Sequence, residues 1–208
     1  MHWNMADLRP ADRYRLIVNT VTPRPIAWTV TQGANGGRNC APHSFFNALA
    51  DEPPLVVLGL MAHHERGGDK DTARHIRETG EFVIALVSEA DAPKMNVTAA
   101  DAPPGTDELA VAGIETRPAL HVKPPLIASA PVNFECRTWQ LLDPSPRSTV
   151  VIGEILAIHI DDAFMSADGR RIDTQAMHLL GRQHGAGMYV RNTDSFEMKR
   201  LAWPLGGD

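Results

Sequence analysis

A short glycine-rich segment with one cation and one hydroxyl is the clearest candidate for chemistry in this sequence. The residues GGDKDT, at positions 67–72, run into a stretch with a helical pattern, DTARHIRETG. Glycines let the backbone approach a ligand, and the first amides of a helix point outward without an intrahelical acceptor. Lys70 adds a point charge and Thr72 a hydroxyl. The segment is typical of a site for a terminal phosphate. The same residue types also begin ordinary helices, in which Asp71 or Thr72 would be the N-cap.

A second segment combines small hydrogen-bonding groups with large flat apolar ones. It is APHSFFNALADEPP, at positions 41–54. Ser44 and Asn47 can donate hydrogen bonds to phosphate, ribityl or ring oxygens. Phe45 and Phe46 can present an apolar surface to one face of a flat ring, although aromatic side chains are more often simply part of a core. The segment therefore suits a ligand with a polar tail and a planar ring.

A third segment, VTPRPIAW at positions 21–28, has an extended backbone held by two prolines. An extended backbone exposes its amides and carbonyls to a ring edge. Arg24 lies between the prolines and is followed by Pro25, with an aromatic residue three positions further on. We interpret this segment as a further side of the same ligand site.

Several familiar chemistries are missing from the sequence. It has no Gly-x-Gly-x-x-Gly motif, no Walker loop and no Gly-x-Ser-x-Gly nucleophile elbow. The glycine-rich GANGGRN joins two predicted strands, which argues against a dinucleotide-binding βαβ unit. His63, His64 and Glu65 form the one dense cluster of metal-ligand types, but no second cluster has ligand spacing, so we interpret them as a solvated loop.

The elements that must position these segments are mostly strands. Strands are predicted in RPIAWTVTQ, CAPHSFFN, PPLVVLGLMA, EFVIALVS, LIASAPVNFECRTWQLLD and STVVIGEILAIHIDD, with a last one in the segment RQHGAGMYVRNTDSFEMKR. The first two form a hairpin, Pro42 indicates an edge strand, and Gly153 indicates a bulge. Helices are short: one begins near Asp71 and ends at Gly80, and Thr106 is expected to cap another. The pattern favours an antiparallel barrel or sandwich with helical insertions.

Composition limits the class of protein further. The 208 residues, expected to form one domain over 1–208, carry 20 Lys and Arg against 25 Asp and Glu. No basic stripe is visible, so nucleic acid is not expected as a partner. The amino terminus lacks the pattern of a signal peptide, and no apolar run is long enough to span a bilayer, so we expect a cytoplasmic protein without membrane contact. In that compartment Cys40 and Cys136 are expected to be separate reduced thiols.

Taken together, the segments resemble the flavin reductase-like family of FMN-binding split barrels, in particular its longer, flavoredoxin-like members. The resemblance is carried by TPRPIA (22–27), NCAPHSFFN (39–47), EPP (52–54), KDT (70–72) and TGEF (79–82), with PVNFEC (131–136) and VIGEILAIHID (151–161) similar to later strands. It covers about residues 14–203, and its specificity comes from the order and spacing of several motifs. It implies a mainly β fold with short helices, an antiparallel Greek-key split β-barrel that binds FMN and forms a homodimer with the flavin near the subunit interface.

By matching position, the resemblance also implies the cofactor-binding residues. Lys70, Asp71 and Thr72 serve the phosphate end. Arg24 and Pro25 lie along the isoalloxazine side. The remaining members line the rest of the FMN site: Asn39, His43, Ser44, Phe45, Phe46 and Asn47. Two positions depart from the family pattern. His43 stands where Tyr or Phe is expected, and either tunes the ring or is a neutral edge residue. His75 stands where Asn is expected.

The function implied is that of an FMN-dependent oxidoreductase, an NAD(P)H:flavin oxidoreductase with NADH or NADPH as donor. Flavin does the redox work in such enzymes while the protein binds and orients it, so no catalytic side chain and no metal are assigned. Reduced flavin either leaves for a partner monooxygenase or stays and passes electrons on. The alternatives are an FMN-binding protein without nicotinamide turnover, for storage, sensing or electron transfer, and a relative of pyridoxamine-phosphate oxidase, whose motifs the sequence lacks.

Overall fold

The computed structural model describes residues 1–61, 63–64, 68–185, 187–201 and 203. Within these ranges, short helices are interspersed among antiparallel strands. The helices are α1 (Pro10–Thr20), α2 (Asp71–Thr79), α3 (Ala92–Val97) and α4 (Glu108–Val111). The strands are β1 (Arg24–Pro25), β2 (Ala27–Gln32), β3 (Arg38–His43), β4 (Phe46–Asp51), β5 (Pro54–Met61), β6 (Glu81–Leu86), β7 (Thr116–Arg117), β8 (Leu126–Ile127), β9 (Val132–Ser145), β10 (Ser148–Ile160), β11 (Leu180–Arg182) and β12 (Tyr189–Arg191).

The main sheet has seven strands in the order β3-β2-β6-β9-β10-β5-β4, and every neighbouring pair is antiparallel. A smaller sheet pairs β11 with β1 and β12, and β7 pairs with β8. The expected mainly β, antiparallel fold is confirmed. The predicted hairpin is β2–β3, and Pro42 lies in β3 at the edge of the sheet, where a missing amide costs no ladder bond.

Two hydrophobic clusters lie on the two faces of this sheet. One contains Trp28 and Cys40, and the other contains Phe82 and Cys136, so the two thiols belong to different clusters. Both cysteines are buried and unlinked, as expected from the sequence. Both faces of β2 are buried: Trp28 and Val30 belong to the first cluster, whereas Thr29 and Thr31, which alternate with them along the strand, are buried polar residues on the opposite face.

Three expectations from the sequence need correction. LIASAPVNFECRTWQLLD is not one strand, because β8 ends at Ile127 and β9 begins at Val132. The Asn133 side chain bridges the interruption: its oxygen accepts the Ile127 amide, and its nitrogen donates to the Ile127 carbonyl. Thr106 does not cap α4, because its hydroxyl donates to Pro103 O, while Asp107 accepts the Ala110 amide instead. CAPHSFFN is also not one strand, because β3 ends at His43 and β4 begins at Phe46. The last predicted strand is present as β12, and it pairs with β11, which was not predicted from the sequence.

No helix in the described ranges is long and apolar enough to cross a membrane.

Gly153 marks the predicted bulge, since the β9–β10 register shifts between Ile152 and Gly153. A Cβ placed on Gly153 would lie 2.5 Å from Cζ of the fully buried Phe82. We expect Gly153→Ala to lower the free energy of unfolding by about 1–3 kcal/mol, because a packed core accommodates an added methyl only through strain. Urea denaturation measures this. Gly187→Ala, where a Cβ would meet open space, is the matched control and should change stability little. Equal effects of the two substitutions would contradict the prediction.

Candidate functional site

A cleft lies at one end of the main sheet, between β3 and β5 on one side and the start of α2 with residues 98–102 on the other. Trp28 fixes the second wall from inside the core, since its indole nitrogen donates to Thr98 Oγ1 at 2.9 Å. The cleft volume is about 250 Å³. Pockets that enclose a whole drug-sized ligand have about 300–1,000 Å³. The cleft of one chain has room for a small group or for one end of a larger ligand.

The floor of the cleft is a buried pair of polar side chains. Asn39 and Thr72 are each 4% exposed, and Asn39 Nδ2 donates to Thr72 Oγ1 at 2.9 Å and to Thr31 Oγ1 at 3.4 Å. The bond to Thr72 links β3, the edge strand that carries Asn39, to the start of α2. Because the Thr72 oxygen accepts from Asn39, its own proton remains available for a ligand.

The start of α2 opens onto the same cleft without a side-chain cap. Lys70 is the N-cap residue, with an extended backbone and no capping hydrogen bond from its side chain. The expectation that Asp71 or Thr72 would cap this helix is therefore wrong, whereas Gly80 ends it in the left-handed conformation, as predicted. The first amides of α2 consequently keep their positive partial charge for an external acceptor.

Asp71 is occupied by contacts within the protein. Its carboxylate accepts the Gly105 amide at 2.6 Å and pairs with Arg74. Burial would raise the pKa of Asp71, but the hydrogen bonds from Arg74 and Gly105 hold it below its ordinary value. The carboxylate stays ionised and neutralised by Arg74, so Asp71 shapes the helix start without offering a donor to an anion.

Lys70 supplies a cation to the cleft. Its Nζ lies 4.0 Å from Asp101 Oδ1, and its side chain is 43% exposed. Asp101 also binds His64 Nδ1 at 2.6 Å. His64 is 9% exposed and lines the cleft, so its assignment to a solvated loop is wrong. Glu65 lies outside the described residues. Among the residues described, no group of three or more His, Cys, Asp or Glu side chains is placed to hold a metal ion.

His43 lines the wall of the cleft at the end of β3. Its Nδ1 lies 3.2 Å from Thr29 Oγ1 on β2. Burial lowers the pKa of His43 to about 4, with repulsion from Lys70 adding to the effect and a backbone hydrogen bond at Ala41 opposing it. His43 is therefore a neutral imidazole near pH 7.

This lowered pKa predicts a pH dependence of stability. Below the ordinary value of 6.5, the unfolded chain binds a proton at His43 that the folded chain refuses until about pH 4. We expect the free energy of unfolding to fall as the pH drops through this window, because protons then favour the unfolded state. Urea titrations across the window should show a smaller fall in His43→Gln. Burial also lowers the pKa of the nearby His75. Because both proteins retain His75, its contribution to the pH dependence is the same in each and does not affect the comparison. An unchanged fall in the variant would contradict the prediction.

The segment after β3 divides between the cleft and the rest of the molecule. Ser44 and Phe45 line the cleft. Phe46, on β4, packs against the cluster that contains Phe82. Asn47 is exposed, and its side-chain oxygen accepts the amide of the next residue. Phe46 and Asn47 therefore do not line the cleft of this chain.

Arg24 reaches the cleft only through Ser44. It is 6% exposed, and its Nε donates to Ser44 Oγ at 3.3 Å. Its Nη1 donates to the carbonyls of Val18 and Val21 at 2.7 and 2.6 Å, at the end of α1. Arg24 and Pro25 line a separate depression beside β11 and β12. Arg24 thus positions the loop that carries Ser44.

Sequence reasoning missed several residues that line the cleft. They come from α1, β5, the 98–102 segment and α4: Tyr14, Gly59, Met61, Thr98, Asp101 and Glu108. Glu108 is buried, accepts the Cys40 amide at 3.1 Å, and has its pKa raised by burial. No local motif marks these residues, since each depends on chain segments distant in sequence.

Comparison with known proteins places the chain in a family. A family model described as "Flavin reductase like domain" matches residues 19–174. An uncharacterized protein of Deinococcus radiodurans is 39% identical over 207 residues, covering 97% of this chain and 90% of that one.

Three solved structures are similar over nearly the whole chain. The 2-nitrobenzoate 2-nitroreductase of Pseudomonas fluorescens has a TM-score of 0.88 at 29% identity, covering 100% of both chains. Component B of nitrilotriacetate monooxygenase from Bacillus cereus has a TM-score of 0.86 at 27% identity, covering 95% of this chain and 98% of that one. A flavin reductase with a split barrel domain from Shewanella frigidimarina has a TM-score of 0.78 at 21% identity, covering 98% of this chain and 99% of that one. The split-barrel fold expected from the sequence is thereby confirmed.

Proposed function

We infer that this chain, which belongs to the flavin reductase-like family, is an FMN-dependent oxidoreductase that takes hydride from NADH or NADPH. One observation carries the proposal: the uncapped start of α2, the Lys70 ammonium and the Thr72 hydroxyl converge in a single cleft. These are the donors that a dianionic phosphate monoester requires.

The side chains and amides of the cleft can be matched to successive parts of FMN. The amides of α2, Lys70 and Thr72 would hold the phosphate. The β3 wall, with Asn39, His43 and Ser44, would hold the ribityl chain and the adjoining ring edge. Arg24, buried behind Ser44, would keep that wall in place, and Phe45 would contact the ring. Phe46 and Asn47 would meet the cofactor only from the partner subunit of a dimer, since they do not line this cleft.

When bound, FMN would supply the redox chemistry, in which hydride is accepted from nicotinamide and electrons are passed to an acceptor. The chain's own contribution is to bind and orient. Neutral His43 adds no positive charge beside the site, and the Thr29 contact fixes its ring. The hydroxyl of Ser44 is oriented by Arg24, which donates to it and leaves its proton for a ligand.

The direct test is the colour and turnover of the purified protein. We expect a yellow protein that bleaches within seconds when NADH or NADPH is added without oxygen. A yellow protein that ignores both donors would identify an FMN-binding protein without nicotinamide turnover. A protein that binds no FMN would overturn the proposal. Steady-state NAD(P)H oxidation with and without added free FMN separates a tightly held flavin from an exchanged one.

The acceptor is proposed from two of the solved structures. Similarity to component B of nitrilotriacetate monooxygenase supports release of reduced flavin to a partner monooxygenase. Similarity to a nitroreductase supports a second candidate, reduction of an aromatic nitro compound within the site. Nitroaromatic-dependent NAD(P)H oxidation with no free flavin in solution would favour the second candidate. Dependence on added flavin would favour the first.

We expect the protein to be a homodimer in which both subunits contact each flavin. The cleft of one chain is small for FMN, and β9 and β10 leave Trp139, Leu142 and Ile158 exposed at 56%, 45% and 54%. Such apolar surface is typical of an interface. Sedimentation at micromolar concentration should give twice the 22.7 kDa mass of one chain. A monomer would contradict the prediction and the shared flavin.

A further inference from the structure

The mouth of the cleft carries an apolar rim, defined here as Tyr14, Phe45 and Met61. All three line the cleft, yet they are 47%, 38% and 57% exposed. The floor of the same cleft is polar and buried. The cleft therefore has two chemically different parts, and the phosphate end accounts for only one of them.

Three separate elements bring the rim together. Tyr14 lies on α1, one helical turn before the buried Val18, and its side chain remains 47% exposed at the mouth of the cleft. Met61 ends β5. Phe45 lies in the turn between β3 and β4 and meets Tyr14 with ring centroids 6.2 Å apart and planes inclined by 34°.

Phe45 is held in place by the backbone beneath it. The Gly59 amide donates to Phe45 O at 2.7 Å, and a Cβ on Gly59 would lie 3.0 Å from Phe45 Cβ. A glycine at this point of β5 lets the phenylalanine lie directly over the strand. The position of Phe45 in the rim is therefore set by the backbone of β5.

The chemistry of the rim selects a planar ring. Two aromatic faces and a polarisable thioether offer stacking and dispersion but no charge and no strong hydrogen bond, apart from the Tyr14 hydroxyl. Exposed apolar side chains gathered at the mouth of one cleft are unfavourable in water unless a ligand covers them. A flat, largely apolar heteroaromatic ring would cover them while its polar end lies deeper.

We propose that Tyr14, together with Phe45 and Met61, binds a planar heteroaromatic ring at the mouth of the cleft. The proposal rests on the proposed function, which brings two such rings to the protein: the isoalloxazine of the flavin and the nicotinamide of the electron donor. Tyr14 and Met61 are the new assignments, and either ring has the same stacking chemistry.

The test compares Tyr14→Ala with Ile17→Ala. Ile17 lies on the same helix and is 42% exposed but does not line the cleft, so it is a matched control. Binding of FMN and riboflavin is measured by fluorescence quenching, binding of NAD⁺ by calorimetry, and the KM of NADH and NADPH in steady state. We expect Tyr14→Ala to weaken one of these by about five- to tenfold, the size of a lost ring-stacking contact. Tyr14→Phe should stay close to wild type.

Equal loss for FMN and riboflavin would assign the rim to the flavin ring, because the phosphate is not involved. A raised KM and weaker NAD⁺ binding with flavin affinity unchanged would assign it to nicotinamide. No change in Tyr14→Ala, or the same change in Ile17→Ala, would overturn the rim proposal alone. Conversion of the Tyr14→Ala protein from dimer to monomer in sedimentation would also overturn it, because a second copy would then cover the rim. A wild-type protein that binds neither flavin nor nicotinamide would overturn the proposed function, and the rim with it.

Discussion

Replacing Lys70 with alanine is expected to weaken FMN binding about ten- to a hundredfold and to leave riboflavin binding unchanged. The FMN phosphate carries a charge near −2 at neutral pH, which riboflavin lacks. A charge-assisted contact to it is worth roughly 1.5–3 kcal/mol. The structure separates this role from a structural one, because the Lys70 side chain makes no capping bond at α2 and lies 4.0 Å from Asp101, at the limit of an ion pair.

The measurement is fluorescence quenching of both flavins, with thermal unfolding in parallel. Lys123→Ala removes the same charge from an exposed residue that does not line the cleft, and should change neither affinity. Equal losses for FMN and riboflavin, or no loss for FMN, would contradict the phosphate assignment. Thr72→Val is a less clean variant. It removes a hydroxyl worth on the order of 1 kcal/mol and also deprives the buried Asn39 amide of its acceptor.

Replacing Arg24 with methionine is expected to lower the free energy of unfolding by roughly 3–5 kcal/mol. The buried guanidinium serves two carbonyls at the end of α1, Val18 O and Val21 O, which would be left without a donor. It also bonds Ser44 Oγ and, at 3.4 Å, the carbonyl of Gln183. Because these contacts link α1, the Ser44 loop and the segment after β11, the loss should also weaken FMN and riboflavin together.

Urea denaturation and flavin binding test this prediction. Arg38→Met is the matched control, because Arg38 pairs with Asp107 in a contact where both side chains are about a third exposed. Such surface pairs contribute about 0–1 kcal/mol. Similar stability losses at the two positions would show that the buried Arg24 contacts contribute no more to stability than a partly exposed ion pair, which would contradict the prediction. A loss of FMN affinity without any loss of riboflavin affinity would place Arg24 at the phosphate instead.

The two predictions separate the two ends of the cleft. The start of α2 contributes a charge and a hydroxyl group, and a change there is expected to weaken only the binding of the ligand's phosphate. Arg24 holds backbone segments together, and its replacement is expected to lower the stability of the fold and the affinity for FMN and riboflavin alike. Riboflavin is the ligand that distinguishes them.

The sequence by itself determined the antiparallel β class, the hairpin of β2 and β3, the bulge at Gly153 and the end of α2 at Gly80. Each of these depends on local backbone preferences, which a residue carries wherever it lies. The KDT segment was recognised for the same reason, since a helix start and its donors are adjacent in the chain. The order and spacing of motifs then indicated the family.

Tertiary structure alone decided which polar side chains remain free for a ligand. Asp71 lines the cleft, as its place in the KDT segment predicted, but Gly105 and Arg74, which the fold brings to it, occupy its carboxylate. His64 was expected in solvent, but its hydrogen bond to Asp101 holds it in the wall of the cleft. Tyr14 and Met61 reach the cleft from elements with no motif. Hydrogen-bond capacity is consumed by whichever partners long-range packing supplies, and those partners cannot be identified from the neighbouring residues in the chain.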